Sequence, residues 1–134
     1  MNLLESQASK QTVLDMYCAA SNGDFAKALS FMSDDIAIVE PPYLPYGGTY
    51  RGKAEFLQLL EKIEEHLVLA TTKMESIVAE GDTVFVCLEI GDRKTGKLLQ
   101  LVERSIVHDG KIVEIKLFYF DAGAMIEAGL KARA

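Results

Sequence analysis

The sequence predicts an α+β domain, because apolar residues recur at helical intervals up to about residue 67 and at every second position beyond it. A second observation places a site within that frame. A short apolar strand ends in Glu40-Pro41-Pro42, a loop rich in glycine and tyrosine follows over residues 45–52, and an amphipathic helix comes next. A carboxylate on the last residue of a strand, an aromatic loop and a covering helix together describe the rim of a concave pocket. With 134 residues, 49% of them hydrophobic, the chain suits one domain over residues 1–134 with a single core.

Residues 4–22 set Val13, Leu14, Tyr17 and Ala20 on one helical stripe, and Gly23 ends that helix. Asp24 caps a second, short helix that carries Phe25, Ala28, Leu29 and Met32, and Asp34-Asp35 breaks its pattern. Ile36, Ile38 and Glu40 alternate with Ala37 and Val39 as a strand. Two prolines, which cannot donate to a ladder, stop it at Glu40. Phe56, Leu59, Leu60, Ile63 and Leu67 form the apolar face of a third helix whose opposite face holds Glu55, Gln58, Glu61, Lys62 and Glu65. Four longer strands follow, over about 67–78, 83–91, 98–107 and 112–121. They are joined by turns at Glu80-Gly81-Asp82, Lys94-Thr95-Gly96 and His108-Asp109-Gly110-Lys111. Met125, Ile126 and Leu130 mark a short closing helix over about 122–132.

Charge and cysteine usage exclude several function classes. Twenty acidic against 14 basic side chains give a formal charge of −6, a surface that repels phosphate backbones, so no nucleic-acid partner is expected. Residues 1–11 lack a basic start followed by an apolar run, and no stretch approaches the roughly 18 apolar residues of a membrane span. The expectation is a soluble, cytoplasmic protein with no membrane partner. Cys18 and Cys87 lie outside any Cys-x-x-Cys or Cys/His spacing and are expected to be reduced and buried. His66 and His108 have no metal-ligand spacing, and no glycine-rich phosphate loop occurs. No metal, nucleotide, flavin or other cofactor is inferred.

Tyr17, Asn22-Gly23-Asp24, Asp34-Asp35, Glu40-Pro41, Gly47-Gly48-Thr49-Tyr50-Arg51-Gly52, Glu80-Gly81-Asp82-Thr83-Val84, Asp109-Gly110-Lys111-Ile112-Val113 and Tyr119-Phe120-Asp121 recur in an order that resembles the nuclear transport factor 2-like superfamily. Within it, the resemblance is to the SnoaL-like and ketosteroid isomerase-like proteins. It implies a cone, the cystatin-like α+β barrel, in which a curved antiparallel sheet wraps around three helices from the N-terminal half. It also implies a homodimer through the outer sheet face. Members include isomerases, cyclases, hydrolases and non-catalytic binding modules, so the fold fixes no reaction. Two functions stay open. One is a cofactor-independent isomerase or cyclase that moves a proton on a small, apolar carbonyl compound; the other is a non-catalytic ligand-binding or protein-interaction module.

Candidate site residues follow from the strand faces and from the resemblance. Glu40 shares a face with Ile36 and Ile38, and desolvation there would raise its carboxyl pKa toward neutrality. By the resemblance it stands at the base position before proline, one methylene longer than the family's aspartate; alternatively it is a strand-end carboxylate reaching water. Tyr17 stands near the oxyanion tyrosine by the same resemblance, or is a core residue with one hydrogen bond. Glu103 lies on an apolar face with Leu99, Leu101, Ser105 and Val107. It is either close to the family's protonated acid or a partner for Arg104, Lys116 or another cation across the sheet or dimer. Asp121 ends the last strand, where SnoaL-like cyclases place an acid-base aspartate. It is a rival proton carrier to Glu40, or a cap for the closing helix. Tyr119 shares the Asp121 face, and Tyr46 is expected at the ligand pocket, with Tyr43 near its mouth and Tyr50 in the core. Phe118 and Phe120, on the other face, are the candidate dimer contact.

Overall fold

The computed structural model describes residues 2–133. Helix α1 (Leu3–Ser21) is followed by α2 (Phe25–Ser30), β1 (Met32–Glu40), β2 (Gly48–Arg51), α3 (Gly52–Glu64), β3 (Leu67–Glu80), β4 (Thr83–Asp92), β5 (Leu98–His108), β6 (Lys111–Tyr119) and α4 (Gly123–Arg133). The strands form one sheet in the order β2-β1-β6-β5-β4-β3. The α+β class, the helices of the N-terminal half and the short closing helix are as the sequence predicts; the sheet curls without closing. One pairing departs from an all-antiparallel sheet, since β1 runs parallel to β6.

Local chemistry sets the boundaries. Asp24 caps α2 by accepting a hydrogen bond from the Lys27 amide. The helix then stops at Ser30 rather than running through Met32, because Met32 already pairs with Ile112 and the Ile112 amide donates to the Phe31 carbonyl at 2.8 Å. Asp34 and Asp35 are therefore exposed strand residues, not a break. The four-residue strand β2 was not legible in the pattern; it exists because Gly48 to Arg51 ladders onto β1 as far as Glu40. Helix α3 ends at Glu64, so Leu67 is the buried first residue of β3 rather than the last of the helix. Asp109 and Gly110 both have positive φ, 51° and 73°, the backbone of the two-residue hairpin that the sequence marks.

The curl comes from register shifts in the β3–β4 pair, between Val68 and Lys73 and between Met74 and Ser76. The first is held by the Thr71 hydroxyl, which donates to the Val68 carbonyl and accepts from the Gly91 amide. The concave face carries Ile36, Ile38, Val84, Val86, Leu88, Ile90, Ile115 and Leu117, all buried against Val13 and Met16 of α1 and Leu59 and Ile63 of α3. Of the two free cysteines, Cys87 is half-buried and Cys18 is exposed, contrary to the expectation of two buried thiols: it lies on the outer side of the α1 stripe. Among the described residues no helix is long and apolar enough to cross a membrane.

Candidate functional site

A cavity of about 950 Å³ lies between the concave face of the sheet and the helices α1 and α3. Its volume suits a ligand of several fused rings. Most of the wall is aliphatic; its polar side chains include Tyr17, Glu40, Glu103 and Tyr119, with Ser21, Glu64 and Thr72 also in the lining.

Glu40 is here because Ile36, Ile38 and Glu40 are the inward-facing positions of β1 and because Pro41 ends the strand at that point. It is only 2% exposed, and its Oε1 has no hydrogen-bond partner among the described residues. Burial, and then the negative charge of Glu103, push its carboxyl up to about 8, against a smaller lowering by the Tyr119 hydroxyl. Glu103 pairs with Val86 on one side and Leu117 on the other, which fixes it on the concave face. It is half-buried, with the open part fronting the cavity. Burial raises its carboxyl too, and Tyr17 partly offsets this. Neither cation considered for Glu103 reaches it: Arg104 pairs with Glu114 at 2.6 Å, and Lys116 lies over the Phe118 ring.

Tyr17 projects from the α1 stripe. Its hydroxyl stands close enough to Glu103 for each to shift the other's ionisation, yet its oxygen makes no hydrogen bond of ordinary geometry. Burial first and the Glu103 charge second hold that hydroxyl firmly protonated. Tyr119 is likewise held protonated, by burial and then by the charge of Glu40.

Tyr46 does not reach the cavity. It is 1% exposed and sits behind Tyr119, with the two hydroxyl oxygens 2.8 Å apart. Its loop folds inward because Leu44 is fully buried and the Leu44 and Gly47 amides donate to the Pro41 and Leu44 carbonyls. Tyr50 is core, donating its hydroxyl to the Tyr46 carbonyl at 2.9 Å, while Tyr43 is exposed. Asp121 lies beyond the end of β6, exposed, 3.4 Å from Lys97 Nζ, and accepts from the Gly123 amide. That hydrogen bond and the lysine hold its carboxyl below the usual range. The structure thus brings Glu40, Glu103, Tyr17 and Tyr119 to one cavity, sets Tyr46 one residue behind it and leaves Asp121 outside.

Phe56, Leu60 and Met74 also line the cavity, a role with no signal in the sequence pattern. The helical pattern assigned Phe56 and Leu60 to a core-facing stripe and could not separate packed positions from ones bordering a void. Among the described residues no group of three or more His, Cys, Asp and Glu side chains is placed to hold a metal ion.

Residues 13–115 match the SnoaL-like domain family. No curated protein matches the chain. Among solved structures, a protein of unknown function with a cystatin-like fold from Xanthomonas campestris is 28% identical, with a TM-score of 0.75 over 90% of this chain and 96% of its own. An NTF2-like protein from Burkholderia xenovorans LB400 is 26% identical, with a TM-score of 0.74 over 92% and 97%. A proposed polyketide cyclase from Sinorhizobium meliloti, 16% identical with a TM-score of 0.66 over 81% and 94%, shares the fold.

Proposed function

We propose, for a chain that belongs to the SnoaL-like domain family, that the cavity binds a small, mainly apolar carbonyl compound and that Glu40 moves a proton on it without a cofactor. The observation that carries this is the Glu40 carboxyl: buried, unpartnered at Oε1, bordering an apolar cavity, and titrating at about 8. A base works best when its pKa lies near the operating pH. Ionised Glu40 takes a proton from the carbon next to the carbonyl, and the bonding pair moves to the carbonyl oxygen as an enolate. The Tyr17 and Tyr119 hydroxyls, both held protonated, are the donors assigned to that oxygen. Glu40, now an acid, returns the proton to another carbon in an isomerisation. In a cyclisation the enolate carbon attacks a second carbonyl, and Glu40 protonates the resulting alkoxide.

Glu103 keeps Glu40 basic while it is charged, and when protonated it is a third donor. Tyr46 orients the Tyr119 hydroxyl and is a positioning residue. Asp121 is assigned to the strand end and the first turn of α4 rather than to proton transfer. The fold shared with a proposed polyketide cyclase supports this class of chemistry. The homodimer contact is assigned to the convex face, where Phe118 is 44% and Phe120 84% exposed.

The test uses 2-acetylnaphthalene in deuterated buffer, with deuterium in its methyl group followed by mass spectrometry. The wild-type chain exchanges it faster than buffer does, and Glu40→Gln falls to the buffer rate with an unchanged circular-dichroism spectrum. Binding without exchange would instead support ligand binding alone, a second reading favoured by the proton that Glu40 keeps at pH 7, which makes it a hydrogen-bond donor to a carbonyl.

A further inference from the structure

The charged groups around the cavity are one-sided. No Lys, Arg or His is among the described residues that line it, whereas three glutamates are. Glu64, contributed by α3 at one edge, is already satisfied: Arg93 Nη2 lies 3.0 Å from its Oε1, and the Leu69 amide donates to its Oε2 at 2.9 Å. Glu40 and Glu103 have no such partner, and no ion pair among the described residues includes either. The titratable groups that face them are hydroxyls, Tyr17 from α1 and Tyr119 from β6, with Tyr46 behind Tyr119. From β3 and β4 the cavity receives Met74, Leu88 and Ile90, which carry no charge. Two bases at the end of α3 and just beyond it have tyrosine partners instead. Lys62 Nζ lies 3.4 Å from the Tyr50 hydroxyl, and the His66 ring is 5.9 Å from that of Tyr46.

Two cavity-facing carboxyls without a countercharge, one buried and one half-buried, repel an anion and leave a neutral guest with an unsatisfied charge beside it. A cation removes both difficulties, and the π faces of Tyr17, Tyr119 and Phe56 in the same wall attract it further. Resting on the small-molecule reading of the same cavity, we propose that its ligand carries a basic amine on an apolar skeleton, with the ammonium seated between Glu40 and Glu103. The proton balance follows. The amine enters as an ammonium ion and pairs with the Glu103 carboxylate, and the Glu40 carboxylic acid, no longer facing an uncompensated negative charge, releases its proton to solvent. The ligand's charge thereby converts Glu40 to the ionised base that proton transfer needs.

The experiment compares three probes of one skeleton by calorimetry on the full chain: 2-acetylnaphthalene, 1-(2-naphthyl)ethylamine and 2-naphthoate. At pH 7.5 the amine binds about tenfold tighter than the ketone or better, naphthoate does not bind, and measurements in two buffers of different ionisation enthalpy show proton release with the amine alone. Glu103→Gln removes the preference for the amine over the ketone. In the wild-type chain, which needs no variant to fold, the preference shrinks as pH falls from 8 to 5 and the carboxyls take up protons. A ketone that binds as tightly as the amine, or naphthoate that binds at all, overturns the proposal and leaves carbonyl binding intact. Preferred amine binding with no exchange of the ketone's protons supports the proposal and removes only the proton-transfer chemistry. Failure of all three probes to bind overturns both.

Discussion

Glu40 and Glu103 stand in one row across the concave face of the sheet, on the two sides of Leu117. Glu103 is the direct partner of Leu117 in the β5–β6 ladder, and the parallel β1–β6 register, last paired at Val39 and Lys116, brings Glu40 beside it next. Neighbouring strands are about 4.8 Å apart, so the two backbones are roughly 10 Å apart. Both side chains rise from the concave side into the same cavity. At that range, beside a mostly aliphatic wall, the charge of Glu103 opposes ionisation of Glu40.

The first consequence is for stability. In the unfolded chain the Glu40 carboxyl titrates near 4.5 and in the folded chain at about 8. Between those values the folded state holds a proton that the unfolded state has lost, so stability falls as pH rises through that window and levels off above about 8. Glu40→Gln cannot ionise and escapes this loss. Its stability relative to wild type is expected to be near equal at pH 4.5 and to grow to up to about 5 kcal/mol above pH 8, as read by urea unfolding at a series of pH values. A gap that is flat across pH would show that Glu40 ionises freely in the fold.

Two substitutions should move the proton-exchange profile in opposite directions. Exchange needs ionised Glu40, so the wild-type rate rises with pH through about 8. Glu103→Gln removes a negative charge that raises this value and shifts the midpoint to lower pH. Tyr119→Phe removes the hydroxyl that lowers it and shifts the midpoint to higher pH. Deuterium incorporation into 2-acetylnaphthalene measured from pH 5.5 to 9.5 separates these shifts from a simple loss of rate.

Gly47 should resist substitution even though its φ is not positive. A Cβ there would collide with the Pro41 carbonyl oxygen and lie 2.9 Å from two backbone atoms of Pro42. Gly47→Ala must push apart the loop that carries Tyr46 and disturb the Tyr46–Tyr119 hydroxyl contact. Thermal unfolding is expected to show a loss of roughly 1–3 kcal/mol. The exchange rate should fall with it, whereas Tyr46→Phe, which leaves the loop packed, should lower exchange with a smaller stability cost of about 1 kcal/mol.

The convex face supplies the fourth expectation. Phe85 and Phe118 are exposed there, and a dimer would cover them. Light scattering should give about twice the 14.8 kDa chain mass for the wild type and the single chain mass for Phe118→Glu. A wild-type monomer at high concentration would remove the dimer.

Much of this was written in the sequence. Period-two alternation placed Glu40 and Glu103 on apolar strand faces, Pro41 fixed where β1 ends, and Asp109-Gly110 fixed a hairpin. These are local properties: which face a side chain takes, and where a backbone can no longer pair, depend on residues a few positions away. Short-range patterns misled where a long-range ladder took over, as at Met32, claimed by Ile112, and at β2, which exists only against β1.

What the tertiary structure alone decided is which of the inward residues meet. The sequence offered Tyr46 and Asp121 on the same footing as Tyr17 and Glu103, yet Tyr46 is packed behind Tyr119 and Asp121 points past the end of its strand to Lys97. The parallel pairing of β1 with β6 sets Glu40 and Glu103 in one row, and the bulges of β3 curl the sheet so that a cavity remains beneath it. Register between strands more than 60 residues apart, and the volume left unfilled between sheet and helices, are sums over the whole fold. No local window of sequence contains them, and the charge state of Glu40 depends on both.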